Sequence, residues 1–496
     1  MKIRFFNAKI ARFGGAAPTL DAGELHVGDD GRIAHVGPAP AQPAGPFDRE
    51  IDCRGGLLLP GFKNAHTHSA MTFLRSHADD LPLARWLEEQ VFPYEDQLTG
   101  RDVKALVRLA ILEYVSGGQT AAFDMYFNQD EAAEAAIEAG FRFVMVSAVN
   151  DYGGTAREAE AEYRRFNELH PLIGYRIGVH AEYTTSEPLL NDMAALARAL
   201  HEPFYTHLAE TRAEVEGCYA RYGMSPLEKL DALGAFAYGG GGFHMVHLSP
   251  ADLDIAAARG LCAVTCPASN LKLASGVAPV CALLRRGIPV AIGTDGPASN
   301  NCLDFFREMF LVSGLQKAAE GDAAACGALD VLQMACANGA RAMGLSACDD
   351  LAPGKQADLV LLELRAPNMQ PENDVLKNVV YSGGKQNVRL TMVAGRILYE
   401  DGAFYTGCDP ERVYAEANAI IRRMDGRARG AAGPPGQRRG RAAARAQSAP
   451  RGRLLQSGRG AGILIGQEHC GPPGGGRGKE RIRCWTLRSS AAGLRA

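Results

Sequence analysis

Between Leu57 and about Leu345, short apolar runs alternate with helical stretches, and this alternation restricts the fold more than any other feature of the 496-residue chain. Strands that alternate with helices build a parallel sheet with helical crossovers. Eight runs can be named: LLLPGFKNAHTH (57–68), TAAFDM (120–125), FRFVMVSA (141–148), YRIGVHAEY (175–183), PFYTHLAET (203–211), GGFHMVHLS (241–249), LCAVTCPASN (261–270) and IPVAIGTDG (288–296). Eight is the number that closes a (β/α)8 barrel. The stretch from Asp102 to Ser116 has helical spacing, with Val103, Leu106, Leu109, Ala110 and Tyr114 on one face, and stops at Gly117-Gly118.

The polar residues of these runs gather at their carboxyl ends: His66 and His68, His180, His207 and Glu210, His244 and His247, and Asp295. Catalytic groups of such barrels come from that face. His66 and His68 are two residues apart, so in a strand their imidazoles leave the same side. Several histidines and a carboxylate on one face predict a metal site.

The barrel segment is flanked by strand-like stretches at both ends. KIRFFNAKI, ELHVG and RIAHVG fall in residues 1–56, and ADLVLLEL and VRLTMVAGRILYEDG fall in 346–425. The predicted class is therefore α/β, a TIM-like barrel (57–345) inserted in a small β-sandwich domain made from both ends of the chain, with a helix closing the second part. The remaining segment, 426–496, is rich in Arg, Gly, Ala and Pro. From Arg427 onward it holds 15 basic against 2 acidic residues, which leaves the preceding part at −16 for an overall charge of −3. Such a composition buries too little surface to fold. It reads as a frameshifted or read-through end of a high-GC gene, the other reading being a basic arm for RNA. The overall charge argues against nucleic acid as a general partner. No run approaches the ~18 apolar residues of a membrane span, and the 12 cysteines show no paired spacing. Free thiols and a cytoplasmic enzyme are expected.

The motifs PGFKNAHTHSAM, WLEEQVFPYE, THLAET, FHMVHLS, PASNLKLASGVAPV and GTDGPASNN resemble the amidohydrolase superfamily, in particular its 5-methylthioadenosine/S-adenosylhomocysteine deaminases and related aminohydrolases. The resemblance covers residues 1 to about 425. It implies that His66, His68, His207 and Asp295 hold one metal ion per subunit, usually Zn²⁺, with Fe²⁺ as the alternative. The fourth run lacks the lysine that bridges two metals in binuclear members, so a single ion is expected. A metal-bound water can ionise near pH 7. The resemblance further implies that Asp295 accepts the water's proton, that Glu210 protonates a ring nitrogen and contacts the substrate, and that His244 orients the attacking oxygen. His247 is read as structural. Glu95 matches the position that holds ribose hydroxyls in nucleoside deaminases of this branch, and His180 matches a substrate-contacting histidine.

The implied reaction is hydrolytic release of ammonia from the 6-amino group of methylthioadenosine, 5'-deoxyadenosine, adenosine or S-adenosylhomocysteine, with water as the second reactant. Members accepting the last of these have arginines after the third strand, suited to its carboxylate. Here 145–160 offers only Arg157. The rival reading is the same scaffold acting on guanine, cytosine or a triazine; another class altogether is a non-catalytic nucleoside-binding protein, for which loss of metal ligands would be expected. His180-Ala181-Glu182 opens like the cytidine-deaminase zinc signature, but no P-C-x-x-C follows. No P-loop or dinucleotide fingerprint is present. Members of this branch are often oligomeric, and no interface can be read from the sequence.

Overall fold

The computed structural model describes residues 1–430 apart from 16–17, 42–44, 78 and 82–84. Of the basic tail, 426–430 end helix Pro410–Gly430 where the composition predicts no folded element, and 431–496, with either reading of the tail, lie outside the described residues.

The chain begins with β1 (Ile3–Arg12), β2 (Thr19–Val27), β3 (Ile33–Gly37), β4 (Arg49–Asp52) and β5 (Leu57–Pro60). Eight strands follow: β6 (Phe62–Thr67), β7 (Gln119–Asp124), β8 (Arg142–Val146), β9 (Ile173–Ala181), β10 (Phe204–Leu208), β11 (Gly240–His244), β12 (Cys262–Thr265) and β13 (Val290–Ile292). These pair in parallel and in chain order. The first and last are drawn together where Asp295 N–H donates to the His66 carbonyl at 3.0 Å. Asn64 also exchanges hydrogen bonds with Thr294 at 2.7 and 3.0 Å. The result is a TIM barrel.

The run at 57–68 is two strands where the sequence reads as one. Leu57–Pro60 belongs to a second sheet, and only Phe62–Thr67 enters the barrel. The break falls at Gly61, where a Cβ would come within 2.1 Å of Thr120 Cγ2. A glycine is what lets the two segments pass this close. The other predicted runs overshoot at their carboxyl ends: β11 stops at His244 and β13 at Ile292. Ala209, His244, Met245 and Asp295, with φ of 50°, 73°, 46° and 57°, take left-handed conformations that end strand pairing. Non-glycine residues are uncommon there and such strain concentrates at functional sites.

After the barrel come β14 (Leu359–Leu362), β15 (Val388–Val393), β16 (Arg396–Glu400) and β17 (Ala403–Phe404). The second sheet runs β17-β16-β15-β14-β5-β1-β2-β3, with β4 on β1. Thus β5 lies between the amino-terminal strand β1, in parallel, and the carboxyl-terminal strand β14, antiparallel. Residues Phe5, Ile10, Leu25 and Ile33 share one buried core with Leu58, Leu361, Leu390 and Met392, so strands from both ends of the chain cover a common interior.

Helix Gly100–Ser116 starts in a capping box of Thr99 and Asp102, the residue type and spacing that satisfy orphan N–H groups. Arg423 of helix Pro410–Gly430 lays its guanidinium on the same Asp102 at 2.9 and 2.7 Å. The ten described cysteines are free, and eight of them are buried. No helix among the described residues is long and apolar enough to cross a membrane.

Candidate active site

The carboxyl end of the barrel brings four histidines and an aspartate to one point. His66 on β6 is fully buried, with its ring stacked 3.9 Å from Phe243. Its ring centre is 4.9 Å from that of His68, 4.8 Å from that of His207 and 5.6 Å from that of His244. Nitrogens of His66, His68 and His207 lie within 4.8 Å of one another, as do ligand atoms of His66, His244 and Asp295. Asp295 Oδ1 is 3.2 Å from His68 Nε2 and 3.6 Å from His66 Nε2.

Hydrogen bonding decides which nitrogen each ring offers. His68 Nδ1 donates to the Met125 carbonyl at 2.6 Å and His207 Nδ1 to the His180 carbonyl at 2.7 Å. A carbonyl only accepts, so in both rings Nδ1 carries a proton and Nε2 is left for the centre. His66 has no hydrogen-bond partner at either nitrogen although both are buried. A buried polar atom without a partner is costly, and a cation taken by one of these nitrogens supplies what is missing. The residues therefore fit a metal ion: three imidazoles and a carboxylate are a donor set for a borderline ion such as zinc.

For His66 and His207 the electrostatics agree with this. Burial lowers His66 to about 3 and His180 to about 4, and holds His207 well below the usual histidine range. Neutral imidazole is the form that ligates. Burial also opposes charge on Asp295 and on His68, but the His66 and His68 rings facing Asp295, and Asp295 facing His68, outweigh it. Asp295 stays well below the carboxylate range, and His68, helped by the Met125 carbonyl, rises to about 9. The centre thus attracts positive charge.

Around it stand Glu210, His244, His180 and His247, each held by a partner. Glu210, just past β10, accepts from Ser275 Oγ at 3.1 Å and comes within 4.0 Å of His244 Nε2. Its own N–H and that of Ala209 donate to the buried Glu214 carboxylate at 2.8 and 2.7 Å, which anchors the turn. His244 Nδ1 donates to Asn270 Oδ1 at 2.8 Å. His180 has its ring 4.7 Å from that of His207, and its Nδ1 is 3.0 Å from Thr184 Oγ1. His247 donates to the Ser275 carbonyl at 2.8 Å, tying down the loop whose hydroxyl meets Glu210. Cys266 is buried at the start of helix Pro267–Lys272, and its burial pushes the thiol up. Arg157 is exposed on helix Ala156–Leu169.

Glu95 ends the short helix Phe92–Glu95 and accepts from Tyr126 Oη at 2.7 Å. Tyr126 is buried, with its ring 6.4 Å from that of His68. Nothing in the sequence singles out Tyr126, because a tyrosine two residues past a strand reads as packing; its partner is 31 positions upstream.

The Amidohydrolase family model matches residues 57–398. A 5-methylthioadenosine/S-adenosylhomocysteine deaminase of Moorella thermoacetica is 41% identical over 416 residues, 82% of this chain and 96% of that protein. A 5'-deoxyadenosine deaminase of Methanothermobacter thermautotrophicus is 41% identical over 394 residues, 77% of this chain and 92% of that one. Among solved structures, an adenosine deaminase from Xanthomonas campestris with bound zinc superposes with a TM-score of 0.79 at 33% identity, covering 86% of this chain and 98% of that chain.

Proposed function

The chain belongs to the amidohydrolase family, and from that premise we propose that it is a zinc-dependent cytoplasmic deaminase that hydrolyses the 6-amino group of an adenine nucleoside. The observation that carries this is the convergence of His66, His68, His207 and Asp295 with Glu210 poised beside them. The relatives named for methylthioadenosine, S-adenosylhomocysteine and 5'-deoxyadenosine support the substrate class.

In this reading His66, His68, His207 and Asp295 hold one zinc ion, with Fe²⁺ the alternative. Bound, such an ion lowers the pKa of water from 15.7 toward 7. Asp295, through the oxygen facing His66 and His68, takes the proton that water gives up as it adds to the ring carbon bearing the amino group. Glu210 delivers a proton to the adjacent ring nitrogen, so the carbon becomes tetrahedral without building an anion on the ring. His244, fixed by Asn270, holds the added oxygen; Asp295 passes its proton to the amino group, which leaves as ammonia, while Glu210 recovers a proton from the added oxygen as the carbonyl forms. Glu95 and His180 receive the ribose. Arg157, the one arginine of 145–160, is exposed on helix Ala156–Leu169, which lends no support to a clamp on a substrate carboxylate. Methylthioadenosine, 5'-deoxyadenosine and adenosine are accordingly favoured over S-adenosylhomocysteine.

The test is ammonia release by protein of measured metal content, challenged with these four nucleosides and with guanine, cytosine and a triazine. Turnover of the uncharged nucleosides, abolished by chelation and restored by zinc, is the expected result. Turnover of free bases alone would move the enzyme to the rival substrate class, and none at all would refute the activity.

Glu95→Ala should cost about 10- to 100-fold in kcat/KM for a nucleoside, chiefly through KM, because a hydrogen bond to a charged group contributes about 1.5–3 kcal/mol. Tyr126→Phe removes only the hydroxyl that aims Glu95 and should raise KM by less than about tenfold. Steady-state kinetics on both variants decide it: an unchanged KM in Glu95→Ala would place the ribose elsewhere.

A further inference from the structure

The four residues Pro-Ala-Ser-Asn occur twice, at 267–270 and 297–300. The first set opens helix Pro267–Lys272 after β12, and the second forms helix Pro297–Asn300 after β13. Adjacent turns of a barrel are related by rotation about its axis, so equal sequences there place equal side chains side by side. The third residue of each copy reaches the same atom. Ser269 Oγ donates to Asp295 Oδ2 at 2.6 Å, and Ser299 Oγ donates to the same Oδ2 at 2.7 Å. Ser299 Oγ is also 3.1 Å from the Gly296 carbonyl, but the nearer, charged oxygen is the stronger acceptor for its single proton.

The fourth residues extend the pattern. Asn270 orients His244 at 2.8 Å, while Asn300 Nδ2 donates to the Thr294 carbonyl at 2.6 Å and to Glu308 Oε1 at 2.8 Å. The other oxygen of Glu308 accepts the Ala268 N–H at 3.1 Å. One fully buried carboxylate therefore spans both turns, one oxygen to each.

We propose that the two PASN turns form one paired clamp, in which Ser269 and Ser299 are positioning residues that saturate Asp295 Oδ2 and leave Oδ1 alone to face the metal and the reacting water, while Glu308 keeps the two turns in register. An oxygen that already accepts two hydroxyl protons has little capacity left for a cation or a third proton. The carboxylate can then neither rotate nor bind through both oxygens without breaking two charge-assisted bonds, each about twice as strong as a neutral one. Two protein donors thus hold Oδ2 in place, the kind of support that keeps a ligand to within about 0.5 Å. The inference rests on the role given to Asp295 above.

The experiment compares Ser269→Ala, Ser299→Ala and the double variant with wild type in three readouts: kcat and KM, the visible spectrum of the cobalt(II)-substituted protein, and zinc retention against a competing chelator. Each single variant is expected to lose about tenfold in kcat with KM within about twofold, at the lower end of the roughly 10- to 100-fold typical of losing a group that supports a metal ligand. The double variant should lose more than the product of the singles, shift the cobalt bands and release zinc at least about tenfold faster. Threonine and valine at 299 are matched in bulk and differ only in the hydroxyl. Ser299→Thr should restore kcat and the cobalt spectrum to near wild type, whereas Ser299→Val should not, and this pair decides the matter if an alanine variant fails to fold. Equal behaviour of threonine and valine, or wild-type kcat and spectrum in the double variant, would overturn the clamp. Because the cobalt spectrum and zinc release need no substrate, a clamp that stands while every nucleoside is refused condemns the proposed activity and not the clamp.

Discussion

Glu210→Gln is expected to lower kcat for nucleoside deamination by about 10²- to 10⁴-fold, with KM and bound metal essentially unchanged. The substitution keeps the shape of the side chain and its bond from Ser275, which rests on Oε1. The turn around it stays fixed, since Glu214 holds the N–H groups of Ala209 and Glu210. What disappears is the ability to deliver and recover a proton while the ring carbon is tetrahedral. A loss of that size corresponds to about 3–5 kcal/mol of transition-state stabilisation, more than any single ribose contact would supply. Steady-state kinetics together with metal analysis separate the cases. If kcat stayed within threefold of wild type, the proton would have another donor; if KM alone rose, Glu210 would be a binding group.

Arg142→Met is expected to destabilise the fold by about 3–5 kcal/mol, a large part of the 5–15 kcal/mol that holds a typical domain together. Arg142 on β8 and Asp358, just before β14, are both almost wholly buried, and the guanidinium meets the carboxylate at 2.8 and 3.0 Å. The same carboxylate accepts the Ala394 N–H at 2.8 Å, and Arg142 also reaches Gln356 at 2.7 Å. This fork fastens the barrel to the second sheet. Removing Arg142 strands a buried carboxylate, and that penalty, more than the lost attraction, sets the cost. The double variant Arg142→Met/Asp358→Leu should therefore recover much of the loss in urea titrations. No recovery would mean that packing, and not the stranded charge, is what Arg142 supplies. The pair also sets a pH response. Burial opposes the charge of Asp358, yet Arg142 keeps it below the usual carboxylate range. The stabilisation is thus fully present above that range and is lost as pH falls from it through the lower native pKa of Asp358, because over that interval the unfolded chain binds more protons than the native one.

Strand-like and helical periodicity from residue 57 to 345 was enough to predict the eight-stranded barrel, because a repeat of two or 3.6 is a local property that survives without knowledge of neighbours. His66 and His68 were legible for the same reason: two residues along a strand return to the same face. The likeness of motifs such as THLAET and GTDGPASNN brought His207, Glu210 and Asp295 into the set, and the barrel then accounts for why they meet, since parallel strands in chain order bring all their carboxyl ends to one rim.

Other features depend on pairs that no local pattern connects. The switch at Gly61 that sends Leu57–Pro60 into one sheet and Phe62–Thr67 into another follows from the approach of Thr120, far along the chain. Tyr126 finds Glu95 across 31 positions, Ser269 finds Asp295 across 26, and Arg142 finds Asp358 across 216. Each is a match of donor to acceptor whose partner is chosen by how the barrel closes and where the second sheet docks. The amino-acid sequence by itself determined which elements form and which chemistry lines their ends. Only the tertiary structure decided which oxygen of Asp295 faces the histidines, how Glu95 is aimed and where the two sheets are joined, because hydrogen-bond geometry is set by distances that close only once the chain has folded.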